Sequence, residues 1–161
     1  MLIREAVDDD LDGILEIYND VIATSNAVYT ETPATLDDRQ AWLVARRAAN
    51  FPVLVADDGG IVGFGSFDNF RPWPGYAFTV EHSVHVHRAA RRRGIGTLLI
   101  QDLIAEARLR GKHVMIGGID AGNVASIALH RKLGFTEACV LKEVAHKFGQ
   151  WLDLALMHRM L

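Results

Sequence analysis

"HRAARRRGIGTLL", residues 87–99, sets four arginines and two glycines directly ahead of an apolar run. Before it, "FTVEHSVHV" (78–86) alternates: Val80, His82, Val84 and Val86 fall on one face, Thr79, Glu81, Ser83 and His85 on the other, which is the period of a strand. After it, Ile95, Leu98, Leu99, Leu103, Ile104 and Ala107 recur at helical spacing within 94–110. The junction therefore reads as strand, glycine turn, helix, a place where amides at a helix start hold an anion. Gly94 and Gly96 lack Cβ atoms, so the chain can turn tightly and phosphate oxygens can come close to the backbone. The arginines add charge-assisted contacts. Two other phosphate loops fit poorly. The Walker pattern needs a lysine before its Ser or Thr, and here Thr97 follows Gly96 directly. The dinucleotide fingerprint needs a glycine where Leu99 stands.

The composition decides what kind of anion. A chain of 161 residues, 50% hydrophobic and 23% charged, reads as one globular domain over 1–161 with a real core. Its formal net charge of -3 argues against a general nucleic-acid binder, so the basic run is a local feature matched to a small anion. No window approaches the ~18 consecutive apolar residues of a membrane helix. The start, "MLIREAVDDD", does not read as a signal peptide. The one cysteine, Cys139, excludes an internal disulfide, fits a reducing cytoplasm and is expected in the core.

Around the loop the pattern is α+β. "LIREA" (2–6) reads as a strand. Asp8 or Asp9 would cap a helix carrying Leu11, Ile14, Leu15, Tyr18, Val21 and Ile22. Thr35 would cap a second, with Leu36, Trp42, Leu43 and Ala45 inward. "PVLVA" and "IVGFGSF" form a hairpin turned at Asp58-Gly59. "RPWPG" (71–75) is a loop. "HVMIGGI" (113–119) reads as a strand buried on both faces and parallel to a neighbour. "NVASIALHRKLGF" (123–135) is a helix closed by Gly134. Two strands near 136–145 and 150–159, joined through "KFG", end the chain. Trp42 and Trp151 are expected in the core.

Arg91-x-x-Gly94-x-Gly96 after a strand, followed by "NVASIALHRKLGF", resembles the acetyl-CoA loop and second cofactor segment of the GNAT superfamily of N-acetyltransferases. Within it, "TVEHSVHV", "GKHVMIGGID", "NVASIALH" and "KFGQWLDLALM" resemble the phosphinothricin acetyltransferase branch, whose members acetylate the amino group of methionine sulfoximine, methionine sulfone or phosphinothricin. The likeness spans essentially the whole chain and is densest from Phe64 to Met157.

That resemblance implies a GNAT fold with a mixed central sheet flanked by helices, acetyl-CoA as co-substrate, and a homodimer. It implies that Arg91, Arg92, Arg93, Gly94, Ile95, Gly96 and Thr97 hold the pyrophosphate. The backbone of Val84, His85 and Val86, splayed from a parallel neighbour, would hold the pantetheine arm and polarise the acetyl carbonyl. Asn123 would contact the pantetheine or cap its helix.

Glu81 stands where the resembling enzymes carry their proposed general base; the plainer alternative is a paired strand carboxylate. His130 stands where many members place the acid for the leaving thiolate, and a packed helix histidine is the alternative. Arg71, Pro72 and Trp73, with Glu81, His82 and Ser83, would line the acceptor pocket, a guanidinium suiting a carboxylate. Ala77 replaces an arginine common in the branch. His85 and His87 share a face at strand spacing, but no further ligand cluster stands near them, so no metal is expected. The preferred reading is thus an N-acetyltransferase for small amino acid analogues. The alternatives are the same chemistry on another amine (a polyamine, another amino acid, a protein terminus) or a non-catalytic CoA sensor.

Overall fold

Turn chemistry lays down the first hairpin. β2 (Val53–Asp57) and β3 (Ile61–Asn69) pair antiparallel about Asp58-Gly59-Gly60. There Gly59 takes φ +82°, and Asp57 Oδ1 accepts from the amides of Gly59 and Gly60. A computed structural model describes all residues 1–161. β1 (Leu2–Glu5) flanks β2, and β4 (Thr79–Val86) follows β3 after the proline loop. β5 (Val114–Asp120), β6 (Thr136–Lys147) and β7 (Gln150–Met160) complete a seven-stranded sheet in the order β1-β2-β3-β4-β5-β7-β6. Only β4 and β5 are parallel.

Helices cover both faces, which is the GNAT arrangement expected from the sequence. α1 (Leu11–Thr24) and α2 (Leu36–Ala48) pack Ile14, Ile17, Val21 and Leu43 against Val53, Val55 and Phe64. On the other face α3 (Ile95–Leu109) and α4 (Val124–Lys132) join Leu99, Leu103 and Ile127 to Phe67, Val80, Met115 and Phe135. The side-chain alternation of each strand divides these two cores. Phe64 is ringed by Tyr18, Trp42 and His85, with centroids 5.2–6.4 Å away. Thr35 caps α2 as expected: its hydroxyl accepts from the Asp38 amide, and Asp38 Oδ2 accepts from the Thr35 amide.

Some local expectations fail for reasons the fold supplies. Neither Asp8 nor Asp9 caps α1. Asp10 is the buried acid there, accepting from the Val7 amide and from both Arg4 terminal nitrogens at 2.7 and 2.9 Å. Ala45 and Leu36 face solvent on α2. Cys139 is exposed, not core, because β6 is an edge strand, and Trp151 is 66% exposed beside the β6–β7 turn. β5 is buried on one face only. Met115, Gly117 and Ile119 are covered, whereas Gly118 is exposed, since α1 and α2 stop short of it. No helix is long and apolar enough to cross a membrane.

Candidate active site

β4 and β5 pair from Thr79↔Val114 to His82↔Gly117 and then part. β4 continues along β3 as far as Val86↔Gly63, and β5 continues along β7 to Asp120↔Leu154. The His87 amide bonds Val62 O, and the Phe70 amide bonds Thr79 O, so odd-numbered backbone groups of β4 face β3. Even-numbered ones face β5. The N–H groups of Val84 and Val86 therefore point into the space that β5 has vacated. A groove of about 570 Å³ runs through this gap, bounded by β4, β5 and the N-terminal ends of α3 and α4.

The Arg91–Thr97 turn closes one end of the groove. Arg92 and Gly94 both take left-handed φ, +64° and +81°. Alternating handedness of this kind gathers successive amides into an anion-binding concavity, and α3 begins at Ile95 with first-turn amides that have no helical acceptor. A Cβ on Gly94 would meet no protein atom within 4 Å, so open space lies over the loop. The non-glycine Arg92 in this conformation costs about 1 kcal/mol, a strain the turn carries for its shape. Arg91 and Arg92 line the groove, are exposed and make no ion pair. Arg93 does not line it. Its guanidinium pairs with Asp58 of the β2–β3 turn at 2.6 Å. Arg88 is likewise held, by Asp20 at 2.7 Å. The acetyl-CoA expected from the sequence fits this donor set: unpaired strand amides, a nest of loop amides and two uncommitted guanidinium groups.

The sheet separates two sets of ionisable groups. Glu81 projects to the face of α1 and α2, next to Gly118, where a Cβ would stand 2.7 Å from Glu81 Oε1. Burial pushes its carboxyl above the ordinary range, Arg71 partly counters this and Asp68 adds to it. No protein group donates to either oxygen.

His82, the next residue, projects to the opposite face onto His130 of α4, with the two Nε2 atoms 3.0 Å apart. His130 Nδ1 donates to Ser126 O at 2.7 Å. A neutral His130 then offers its Nε2 lone pair, and His82 Nε2–H donates to it. That leaves His82 Nδ1 buried with no partner. Burial, then the neighbouring His130 and His85, pushes His82 down to about 3; burial lowers His130 against the pull of the Ser126 carbonyl. The pair is neutral at pH 7.

Other expected residues fall as follows. The His85 ring is buried between Tyr18 and Phe64, pushed down to about 4 by burial and by the Arg39 cation, so its side chain belongs to the core. Ile95 is likewise core, leaving its amide to the loop; Gly96 and Thr97 line the groove. Asn123 caps α4, its Oδ1 accepting from the Ser126 amide at 3.1 Å, and it also lines the groove. Ser83 and His82 both line the groove, the His82 ring on the α4 face of the sheet and not on Glu81's side. Arg71, Pro72 and Trp73 lie outside the groove, in a separate cavity of about 320 Å³ shared with Ala77 and Lys112. Trp73 is 72% exposed. Arg71 nonetheless acts on Glu81 through its charge.

Sequence reasoning missed Gly117 and Gly118. A Cβ on Gly117 would lie 3.2 Å from the His82 ring and from the His130 ring. Adjacent glycines inside a strand were the available signal, since they mark a close approach. No group of three or more His, Cys, Asp or Glu side chains is placed to share a metal ion.

Residues 14–135 match the Acetyltransferase (GNAT) family, and the chain belongs to it. It is 48% identical over 157 residues, 96% of this chain and 91% of the relative, to an L-methionine sulfoximine/L-methionine sulfone acetyltransferase of Pseudomonas paraeruginosa. The crystal structure of a ribosomal-protein-alanine N-acetyltransferase from Brucella melitensis superposes with a TM-score of 0.99 at 49% identity, covering 100% of both chains. A Salmonella typhimurium protein whose structure contains its cofactor acetyl-CoA superposes at 0.98 with 44% identity, covering 100% of this chain and 94% of that one. The protein is an N-acetyltransferase.

Two outcomes follow from this geometry. Replacing Arg91 and Arg92 together by alanine is expected to weaken acetyl-CoA at least tenfold in a calorimetric titration with Tm unchanged, whereas Arg93→Ala leaves the Kd within about twofold. Equal losses in both variants contradict the assignment. The second concerns acid. His82, His85 and His130 stay neutral when folded but take up protons near pH 6.5 when unfolded, so unfolding gains protons and stability falls as pH drops from about 6.5 towards 4. Each imidazole contributes at most about 1.4 kcal/mol per pH unit. Denaturant titrations at several pH values should give this slope, and His85→Phe should flatten it.

Proposed function

We propose that the protein acetylates the amino group of a small amino acid analogue, methionine sulfoximine, methionine sulfone or phosphinothricin, with Glu81 as general base. Acetyl-CoA, when bound, supplies the activated acetyl thioester. The observation that carries the reading is the placement of an otherwise unbonded carboxylate, its affinity for a proton raised by burial, beside the end of the strand pairing where Val84 and Val86 present free amides. Glu81 would take a proton from the incoming ammonium, directly or through a water, and free the nitrogen lone pair. The Val84 or Val86 amide would donate to the carbonyl oxygen as charge develops on it. Arg91, Arg92 and the amides of 92–97 would hold the pyrophosphate.

His130, expected as a general acid, enters in an altered form. Its one N–H in the neutral state goes to Ser126 O and the His82 Nε2–H goes to His130 Nε2, so neither ring holds a free N–H and the sulfur would leave as the thiolate and take its proton from solvent. The pair would line the thiol end, and because a thiolate is a tolerable leaving group, loss of His130 lowers kcat modestly without abolishing it.

The Pseudomonas relative's acceptors support the small-molecule reading. A second reading, the same chemistry on another amine such as a protein terminus, draws on Ala77, which removes a cation expected near the acceptor, and on the Brucella structure. The exposed apolar groups of the β6–β7 hairpin, Leu141, Val144, Phe148 and Trp151, support a homodimer, and the lone unpaired Cys139 is in keeping with a reducing cytoplasm. Sedimentation at micromolar concentration is expected to give twice the chain mass; a monomer throughout rejects the dimer.

Thiol release from acetyl-CoA, measured over sulfoximine, sulfone, phosphinothricin, amino acids, polyamines and an alanine-terminated peptide, tests the acceptor class. Fastest turnover on the first three supports the proposal, turnover on the peptide alone replaces it with the second reading, and tight cofactor binding with no turnover favours a sensor. With the best acceptor, Glu81→Gln is expected to lower kcat/KM at pH 7 at least tenfold and to remove the acid limb of the pH profile. An unchanged profile excludes Glu81 as base.

A further inference from the structure

Lys147, at the end of β6, is 1% exposed and plays no part in the chemistry above. Its Nζ donates to three backbone carbonyls, Ile22 O at 2.8 Å, Ser25 O at 2.6 Å and Val28 O at 2.8 Å. An ammonium has three N–H groups, so its donor capacity is filled. Each acceptor lies at the end of α1 or just beyond it, where the last helical carbonyls lack partners and the helix dipole is negative. A lysine from the far hairpin thus stops this helix in place of a local glycine. Four residues on from Ser25, the Tyr29 hydroxyl reaches Asp120 Oδ1 at 3.0 Å and Asp153 O at 3.1 Å.

These contacts lace together the two halves of the sheet. α1 packs on the β2–β4 half, while Lys147, Asp120 and Asp153 belong to the β5–β7–β6 half. Gly118 shares Glu81's face, and residues two apart on a strand share a face, so Asp120 lies on that side as well. Residues 22–29 accordingly cross the wide end of the splay on the Glu81 face, and Ser25 and Ala27 line the groove. An amine that is to meet Glu81 has this strap for a wall.

We propose that Lys147 is a positioning residue that, with Tyr29, fixes the 22–29 strap across the splayed strands and so sets the acceptor side of the site. This rests on the acetyl-transfer reading given above. The cofactor contacts assigned above come from the β4 amides and the 91–97 loop, while Ser25 and Ala27 border the same groove without being among them.

Lys147→Met, Lys147→Arg and Tyr29→Phe are the variants to compare with wild type. Lys147→Met is expected to raise the acceptor KM at least tenfold, with the acetyl-CoA Kd within about twofold and faster amide exchange over 22–29. Lys147→Arg should not rescue, because a planar guanidinium cannot aim at three carbonyls around one point. Tyr29→Phe gives the same split more weakly and serves if the methionine variant does not fold. Acceptor KM and cofactor Kd that move together, or strap exchange as slow as in wild type, overturns the proposal. Exchange is read without any acceptor, so a wild type that acetylates no amine refutes the acetyl-transfer reading alone and leaves the strap to be decided by its exchange rates.

Discussion

The hydrogen bonds that Ser83–Val86 and Gly118–Asp120 do not make to each other are the constraint to which the rest of the site answers. Buried strand amides are nearly always paired, and a parallel pair that stops after His82 and Gly117 exposes donors in the middle of a sheet. A fold tolerates this only where something else will meet those donors. The groove is that place, and every neighbouring element is arranged around it. β3 and β7 keep the two parting strands ordered from their outer edges, so each stays extended after losing its inner partner. α3 and α4 bring their N-terminal ends to one face, and α1 with its strap spans the other.

Placing Glu81 and the His82–His130 pair on opposite faces gives each a different electrostatic setting within one strand turn. Glu81 is half-buried, beside Arg71 and Asp68, and can ionise and still hold a proton readily. The two imidazoles are desolvated between Phe135 and the sheet and stay neutral. Gly117 and Gly118 make the separation possible, one clearing space for the rings and the next for the carboxylate. A side chain at position 117 would push the imidazoles, and one at 118 the carboxylate, out of place.

Much of this was legible in the sequence because it is local. Period-2 alternation over 78–86 already put Glu81 and His82 on different faces, and Gly94 and Gly96 marked the turn into α3. What was not legible depends on partners far along the chain. Nothing near Arg93 tells that Asp58 will neutralise it, so it read as equal to Arg91 and Arg92. Lys147 read as an ordinary turn lysine, since its three carbonyls lie 119 to 125 residues away. Residues 71–73 read as acceptor lining because a guanidinium suits a carboxylate and the resembling enzymes place an arginine there, but the folded loop lines its own cavity and Arg71 acts on Glu81 through charge. Cys139 and Trp151 read as core on residue type, which carries no information about an edge strand or an exposed turn.

The most direct test of the account is a crystal structure of the protein with acetyl-CoA bound. The account predicts the thioester carbonyl within hydrogen-bond distance of the Val84 or Val86 amide, the pyrophosphate on the amides of 92–97, and the acetyl carbon open to the Glu81 face of the sheet. A cofactor lying outside the gap, or β4 and β5 paired through Val86 and Asp120, would contradict it.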